Sequence, residues 1–109
     1  KTILIITADA ADAETLRIAL RDARDGPYAT EWVRLLSAGI GRLAGGGIDA
    51  ILVDLELADS QGIATFERLF AEAPEIPIMT LTALDDEALG WEAVQRGAQG
   101  YLSKGYFKS

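Results

Sequence analysis

Three short runs constrain this chain more than anything else in it. Residues 2–7 (TILIIT), 50–53 (AILV) and 78–82 (IMTLT) are apolar or β-branched without the in-out alternation of a half-solvated strand. A strand that is apolar on both sides needs cover on both faces, a condition met by parallel sheets wrapped in helices. The stretches between the runs supply that cover. Leu16, Ala19, Leu20 and Ala23 recur at helical spacing over residues 11–24, as do Phe66, Leu69 and Phe70 over residues 63–73. With 109 residues there is room for one domain and one core.

Turn residues punctuate the pattern. The first strand, residues 2–7, leads to a helix over 11–24 that Asp9 or Asp12 can cap and that Asp25-Gly26-Pro27 stops. A weaker strand over 30–35, interrupted by Glu31 and Arg34, precedes a helix over 37–44 that ends in Gly45-Gly46-Gly47. Residues 49–54 form the third strand and 63–73 the third helix; Pro74 and Pro77 bracket the passage into the fourth strand, 78–82. Asp85-Asp86-Glu87 starts a fourth helix with acids at its positive dipole end, running to Gly97 as a C-cap, and residues 99–103 form a fifth strand. Five strands alternating with four helices predict an α/β fold, a doubly wound parallel sheet. A fifth helix is expected after Lys104, so both chain ends read as trimmed.

Composition narrows the chemistry. The net charge is -7 and the ten basic residues are scattered, which argues against a nucleic-acid or anionic-membrane surface. No apolar stretch is long enough to span a bilayer and no signal segment precedes the first strand, so the cytoplasm is the expected location. Without Cys or His there is no disulfide, thiolate, imidazole base or Cys/His zinc site. Any metal must be a hard, oxygen-bound cation.

In a parallel sheet the ligand crevice lies outside the C-terminal strand ends. There the sequence places Thr7, Ala8 and Asp9 after the first strand, Asp54 at the end of the third, Thr82 and Ala83 after the fourth and Lys104 after the fifth. A carboxylate, a hydroxyl and an ammonium together suit an acyl-phosphate: the first attacks phosphorus while the others bind the phosphoryl oxygens.

Three segments carry a resemblance across the whole chain. They are 49–55 (DAILVDL) with Gly62 beyond it, 77–83 (PIMTLTA) and 96–104 (RGAQGYLSK). Together they resemble the receiver domain of bacterial two-component response regulators. The resemblance implies a flavodoxin-like sheet of order 2-1-3-4-5 and one receiver domain over 1–109, truncated before or within helix 5. It implies Asp54 as phospho-acceptor, Thr82 as the hydroxyl that moves to the phosphoryl group, Lys104 as its ion-pair partner and Tyr101 as the aromatic switch. Mg²⁺ would be held by Asp54 and the main-chain carbonyl of Glu56. The partners implied are a sensor histidine kinase or phosphotransfer protein, an output domain beyond residue 109 and a second copy in a homodimer.

The departures matter as much. Receivers usually carry two acids directly after the first strand; here those positions are Thr7 and Ala8, which predicts weakened or absent Mg²⁺ binding. Asp9, one position on, is either a replacement metal ligand or a helix cap. Gly105 replaces the usual proline after the lysine and predicts a more flexible loop. Trp91 is either a partner anchor or packs on Tyr101. Two readings follow: a phospho-acceptor module that modifies and hydrolyses only itself, or a pseudo-receiver that binds proteins independently of phosphorylation. A small phosphatase-like enzyme with Asp54 as nucleophile is weaker, because the chain offers no second acid near it placed to protonate a leaving group, and no cap domain.

Overall fold

The computed structural model describes residues 1–106. Its elements are β1 (Thr2–Ile6), α1 (Ala10–Arg21), β2 (Ala29–Val33), α2 (Leu36–Leu43), β3 (Ala50–Asp54), α3 (Ile63–Glu72), β4 (Ile78–Thr82), α4 (Glu87–Gln95) and β5 (Gly100–Ser103), closed by a 3₁₀ turn over Lys104–Tyr106. All neighbouring strands pair in parallel, in the order β2-β1-β3-β4-β5 that the sequence predicts. The fifth helix expected beyond Lys104 lies outside the described residues.

Strand alternation divides the core. Leu4 and Ile6 of β1, Ile51 and Val53 of β3 and Ile78 of β4 pack with Leu36, Phe66, Leu69 and Ala93, which places α2, α3 and α4 on one face. Ile3 and Ile5, Leu52 and Leu81 turn the other way and meet Leu16 and Leu20 of α1. The first layer is thicker. On the α1 face a cavity of about 170 Å³ remains among Ile3, Leu20, Ala50, Leu52 and Met79.

Element ends differ from expectation for identifiable reasons. α1 stops at Arg21 rather than residue 24: the Asp22 N–H makes the last helical bond, to the Ile18 carbonyl, after which the N–H groups of Ala23 and Gly26 bond three residues back, to Leu20 and Ala23, as tight turns. β2 ends at Val33, opposite the last residue of β1. α4 ends at Gln95, and Gly97 follows at φ +128, where its missing Cβ leaves room for the Phe70 ring at 3.0 Å. Among the described residues no helix is long and apolar enough to cross a membrane.

Candidate functional site

The two-residue period of a strand decides which side chains share a face at the C-terminal sheet edge. Thr7 continues the side of Ile3 and Ile5, Asp54 that of Leu52, and Lys104 that of Leu102, so all three fall on the α1 face. Ile6 pairs with Val53, which sets Thr7 directly across from Asp54.

Asp54 is buried, at 3% exposure, and its carboxylate is fully engaged. The Lys104 ammonium forms an ion pair with Oδ2, and the Thr7 hydroxyl donates to the same oxygen at 3.1 Å. Oδ1 accepts the Glu56 N–H at 2.9 Å. Such a buried charge persists only when paired and hydrogen-bonded, and here it is both. Asp54 and Lys104 therefore meet as expected. The Thr7 hydroxyl is an addition that sequence reasoning missed, although the facing strand ends were its available signal.

The β1–α1 loop is held from the edge strand. Trp32 Nε1 donates to the Thr7 carbonyl at 2.8 Å, and Arg34 donates to the Ala8 carbonyl at 2.7 Å. The Arg34 guanidinium lies 4.5 Å from the centre of the Trp32 ring, a cation-π stack that fixes its plane. Nothing in the sequence pattern marks this clamp, since it spans two strands joined by a whole helix. Asp9 is the N-cap of α1: its Oδ1 accepts from Ala11 N at 2.8 Å and Asp12 N at 3.2 Å.

Thr82 lies at the same edge but turns, with Thr80, toward the α3 and α4 face. It is 2% exposed, and its hydroxyl has no hydrogen-bond partner among the described residues. Its register partner Ser103 carries a second buried hydroxyl in that condition. Tyr101 sits against α4, with its hydroxyl donating to Glu87 Oε1 at 3.1 Å and its ring edge-on to Trp91 at 5.7 Å. A Cβ on Gly90 would lie 2.5 Å from the Tyr101 ring, so glycine is what admits the ring there. Trp91 packs on Tyr101 as one reading has it, yet remains 59% exposed.

Gly105 has a use other than the flexibility expected of it. Leu84 leans across from the β4–α4 loop, and a Cβ at Gly105 would meet its Cδ1 at 2.4 Å. Beyond the β3–α3 loop a groove of about 510 Å³ opens toward α4, lined by Glu56, Gln61, Gly62, Asp86 and Leu89.

A hard divalent cation fits these residues poorly. Thr7 spends its proton on Asp54, Ala8 offers a methyl group, and the Asp9 carboxylate caps a helix. That leaves Asp54, already shared by an ammonium and a hydroxyl, and the Glu56 carbonyl, against the near-octahedral oxygen set that Mg²⁺ demands. Among the described residues no three carboxylates converge as metal ligands.

Comparison with known proteins bears on the family and the fold. The family model for the response regulator receiver domain matches residues 3–108. The swarming motility regulation protein RssB of Serratia marcescens is 36% identical over 73 residues, 67% of this chain and 33% of that protein. The transcriptional regulatory protein ZraR of Salmonella typhimurium is 39% identical over 56 residues, 51% of this chain and 13% of that protein. The chain thus spans a third or less of either relative. Among solved structures, a response regulator from Chloroflexus aurantiacus J-10-fl superposes with a TM-score of 0.82 at 26% identity, covering 95% of this chain and 84% of the other. Full-length FixJ from B. japonicum gives 0.81 at 27% identity, covering 94% of this chain and 49% of that one. Matched over nearly its whole length, the chain belongs to the receiver-domain family of response regulators.

Proposed function

We propose that residues 1–109 form a phospho-acceptor module that takes a phosphoryl group on Asp54 and passes the change to a partner or to a following output domain. The observation that carries this reading is a buried carboxylate at the end of β3 with the Lys104 ammonium on one of its oxygens. The donor would be a sensor histidine kinase or phosphotransfer protein. In the step itself Asp54 attacks phosphorus as the bond from phosphorus to the donor breaks, and the donor leaves with the electron pair. Lys104 then neutralises the phosphoryl oxygens. Thr82, whose buried hydroxyl lacks a partner, gains one by turning toward them. That movement vacates space beside Tyr101 and biases a two-state equilibrium at the α4–β5 face. The module turns over no outside metabolite. The family generally binds Mg²⁺, but these residues do not fit it, and no part of this step is routed through the metal.

A second reading has its own observation. The Thr7 hydroxyl and Lys104 ammonium already satisfy Asp54 Oδ2, as in a pocket retained for structure by a pseudo-receiver. Incubation with acetyl phosphate followed by intact-mass measurement separates the two. The acceptor reading expects the added mass of one phosphoryl group, lost in Asp54→Ala. Absence of that mass, with and without Mg²⁺, establishes the phosphorylation-independent module.

A further inference from the structure

Receivers ordinarily neutralise the charge of the incoming group with a metal held by acids after β1, and this chain has replaced both acids. The replacement leaves a buried anion-handling pocket short of one positive charge, and at the same sheet edge, one strand beyond Thr7, the exposed Arg34 guanidinium is held on the Ala8 carbonyl of the loop over that pocket. Arg34, Thr7 and Asp54 stand in one row across β2, β1 and β3. Val33 and Val53 both pair with Ile6, and the Thr7 N–H bonds the Val33 carbonyl at 3.1 Å. Alternation puts the three side chains on the same sheet face, since Trp32 pairs with Ile5 of the α1 layer and Arg34 follows two residues on.

Two strand spacings separate Arg34 from Asp54, about 10 Å between Cα atoms, and Arg34 already reaches inward across the first of them. Its bond to the Ala8 carbonyl uses one donor of a five-donor fork, and the stack on Trp32 holds the fork's plane without consuming the others. On the other side of Asp54 the groove toward α4 carries Glu56 and Asp86, which repel an anion from that direction. On the near side the Asp9 carboxylate is turned into the first turn of α1 and Asp12 is buried within that helix, so the cations flanking the approach are Arg34 and Lys104.

We infer that Arg34 and Lys104 form a metal-independent site for phosphate-class anions above Asp54, with the Arg34 guanidinium in the charge-neutralising place of the divalent cation. The ligand class rests on the phospho-acceptor reading. Anion binding itself does not require that Asp54 react.

The experiment is a titration of the chain with inorganic phosphate in EDTA, read by backbone amide NMR shifts at Thr7, Glu56 and Gly105. Arg34→Gln keeps a neutral donor for the Ala8 carbonyl and removes the charge; Arg34→Lys keeps the charge. The inference expects saturable shifts in the wild type and affinity about tenfold lower in Arg34→Gln, the loss of one charge-assisted bond, with Arg34→Lys in between. No saturable binding in EDTA, binding that appears only with Mg²⁺, or equal affinity in Arg34→Gln overturns it. A parallel acetyl phosphate reaction in EDTA keeps the two readings apart. Phosphate bound through Arg34 without any added mass supports the anion site and overturns the acceptor. Mass gained only with Mg²⁺, and no phosphate bound in EDTA, does the reverse.

Discussion

At Asp54 three donors meet one carboxylate, and they are not equivalent. The Thr7 hydroxyl is a neutral donor, so Thr7→Val should cost about 1 kcal/mol in urea unfolding. Lys104→Ala strips the counter-charge from a buried anion and should cost about 3 kcal/mol. That larger loss should shrink in an Asp54→Asn background, because no charge is then left unpaired; equal losses in both backgrounds would mean that the ion pair contributes nothing. Restoring the missing acids as Thr7→Glu with Ala8→Asp crowds like charge against Asp54. The double variant should unfold at lower temperature than wild type in EDTA and recover with Mg²⁺, which binds only its folded state. A Mg²⁺-independent melting temperature would mean that positions 7 and 8 do not face the pocket. Asp54 and Lys104 were legible in the sequence because each closes an apolar strand at the edge where such sheets bind ligands. The Thr7 contact and the Arg34–Trp32 clamp were not. They depend on the register of β1 with its neighbours, and nothing local encodes which side chains that register makes adjacent.

Two elements are fixed by residues distant in sequence. The first turn of α2 has no cap of its own; the Asp59 carboxylate, in the loop after β3, accepts from Leu36 N at 2.9 Å and Ser37 N at 3.0 Å. The Ser37 N–H, then the Leu36 N–H, hold its carboxyl below the usual aspartate range. A folded pKa depressed below the unfolded value contributes stability that is full above about pH 4 and is lost as pH falls through the folded value. Asp59→Ala should therefore cost about 1 kcal/mol near neutrality, and the gap from wild type should close on acidification. A gap independent of pH in thermal melts would rule out the charged cap. No sequence rule finds this bond, because a cap is sought just before its helix and Asp59 lies well after it. At α4 the decisive residue is Gly90. Alanine there gains helix propensity worth about 1 kcal/mol but drives a methyl group into the Tyr101 ring, so Gly90→Ala should be net destabilising and should break the Tyr101–Glu87 bond. With Tyr101→Ala added, the clash vanishes and the alanine should become stabilising; a double-mutant cycle without coupling would contradict the packing.

Among the described residues the sheet carries α2, α3 and α4 on one face and α1 on the other. β1, β3 and β4 are flanked by strands on both edges and carry fully buried residues such as Leu4, Ile6, Val53 and Leu81, so native-state hydrogen exchange should be slowest there and faster in edge strands β2 and β5. Uniform protection across all five strands would indicate that the sheet opens only as a unit. This architecture was legible because β1, β3 and β4 are unbroken apolar runs, which only a doubly covered parallel sheet accommodates. β2 was harder to read: as an edge strand it carries Glu31, which pairs with Arg42 of α2. The two tryptophans now acquire a practical meaning. Trp32 touches the loop over the pocket, whereas Trp91 touches Tyr101 on α4, so each indole lies beside a different half of the proposed switch. Both are partly in water, at 40% and 59% exposure, and their emission should respond to local rearrangement. With Trp91→Phe the remaining fluorescence should follow the pocket, and with Trp32→Phe the α4–β5 face. The lag between the two signals would time how quickly an event at Asp54 is felt across the sheet.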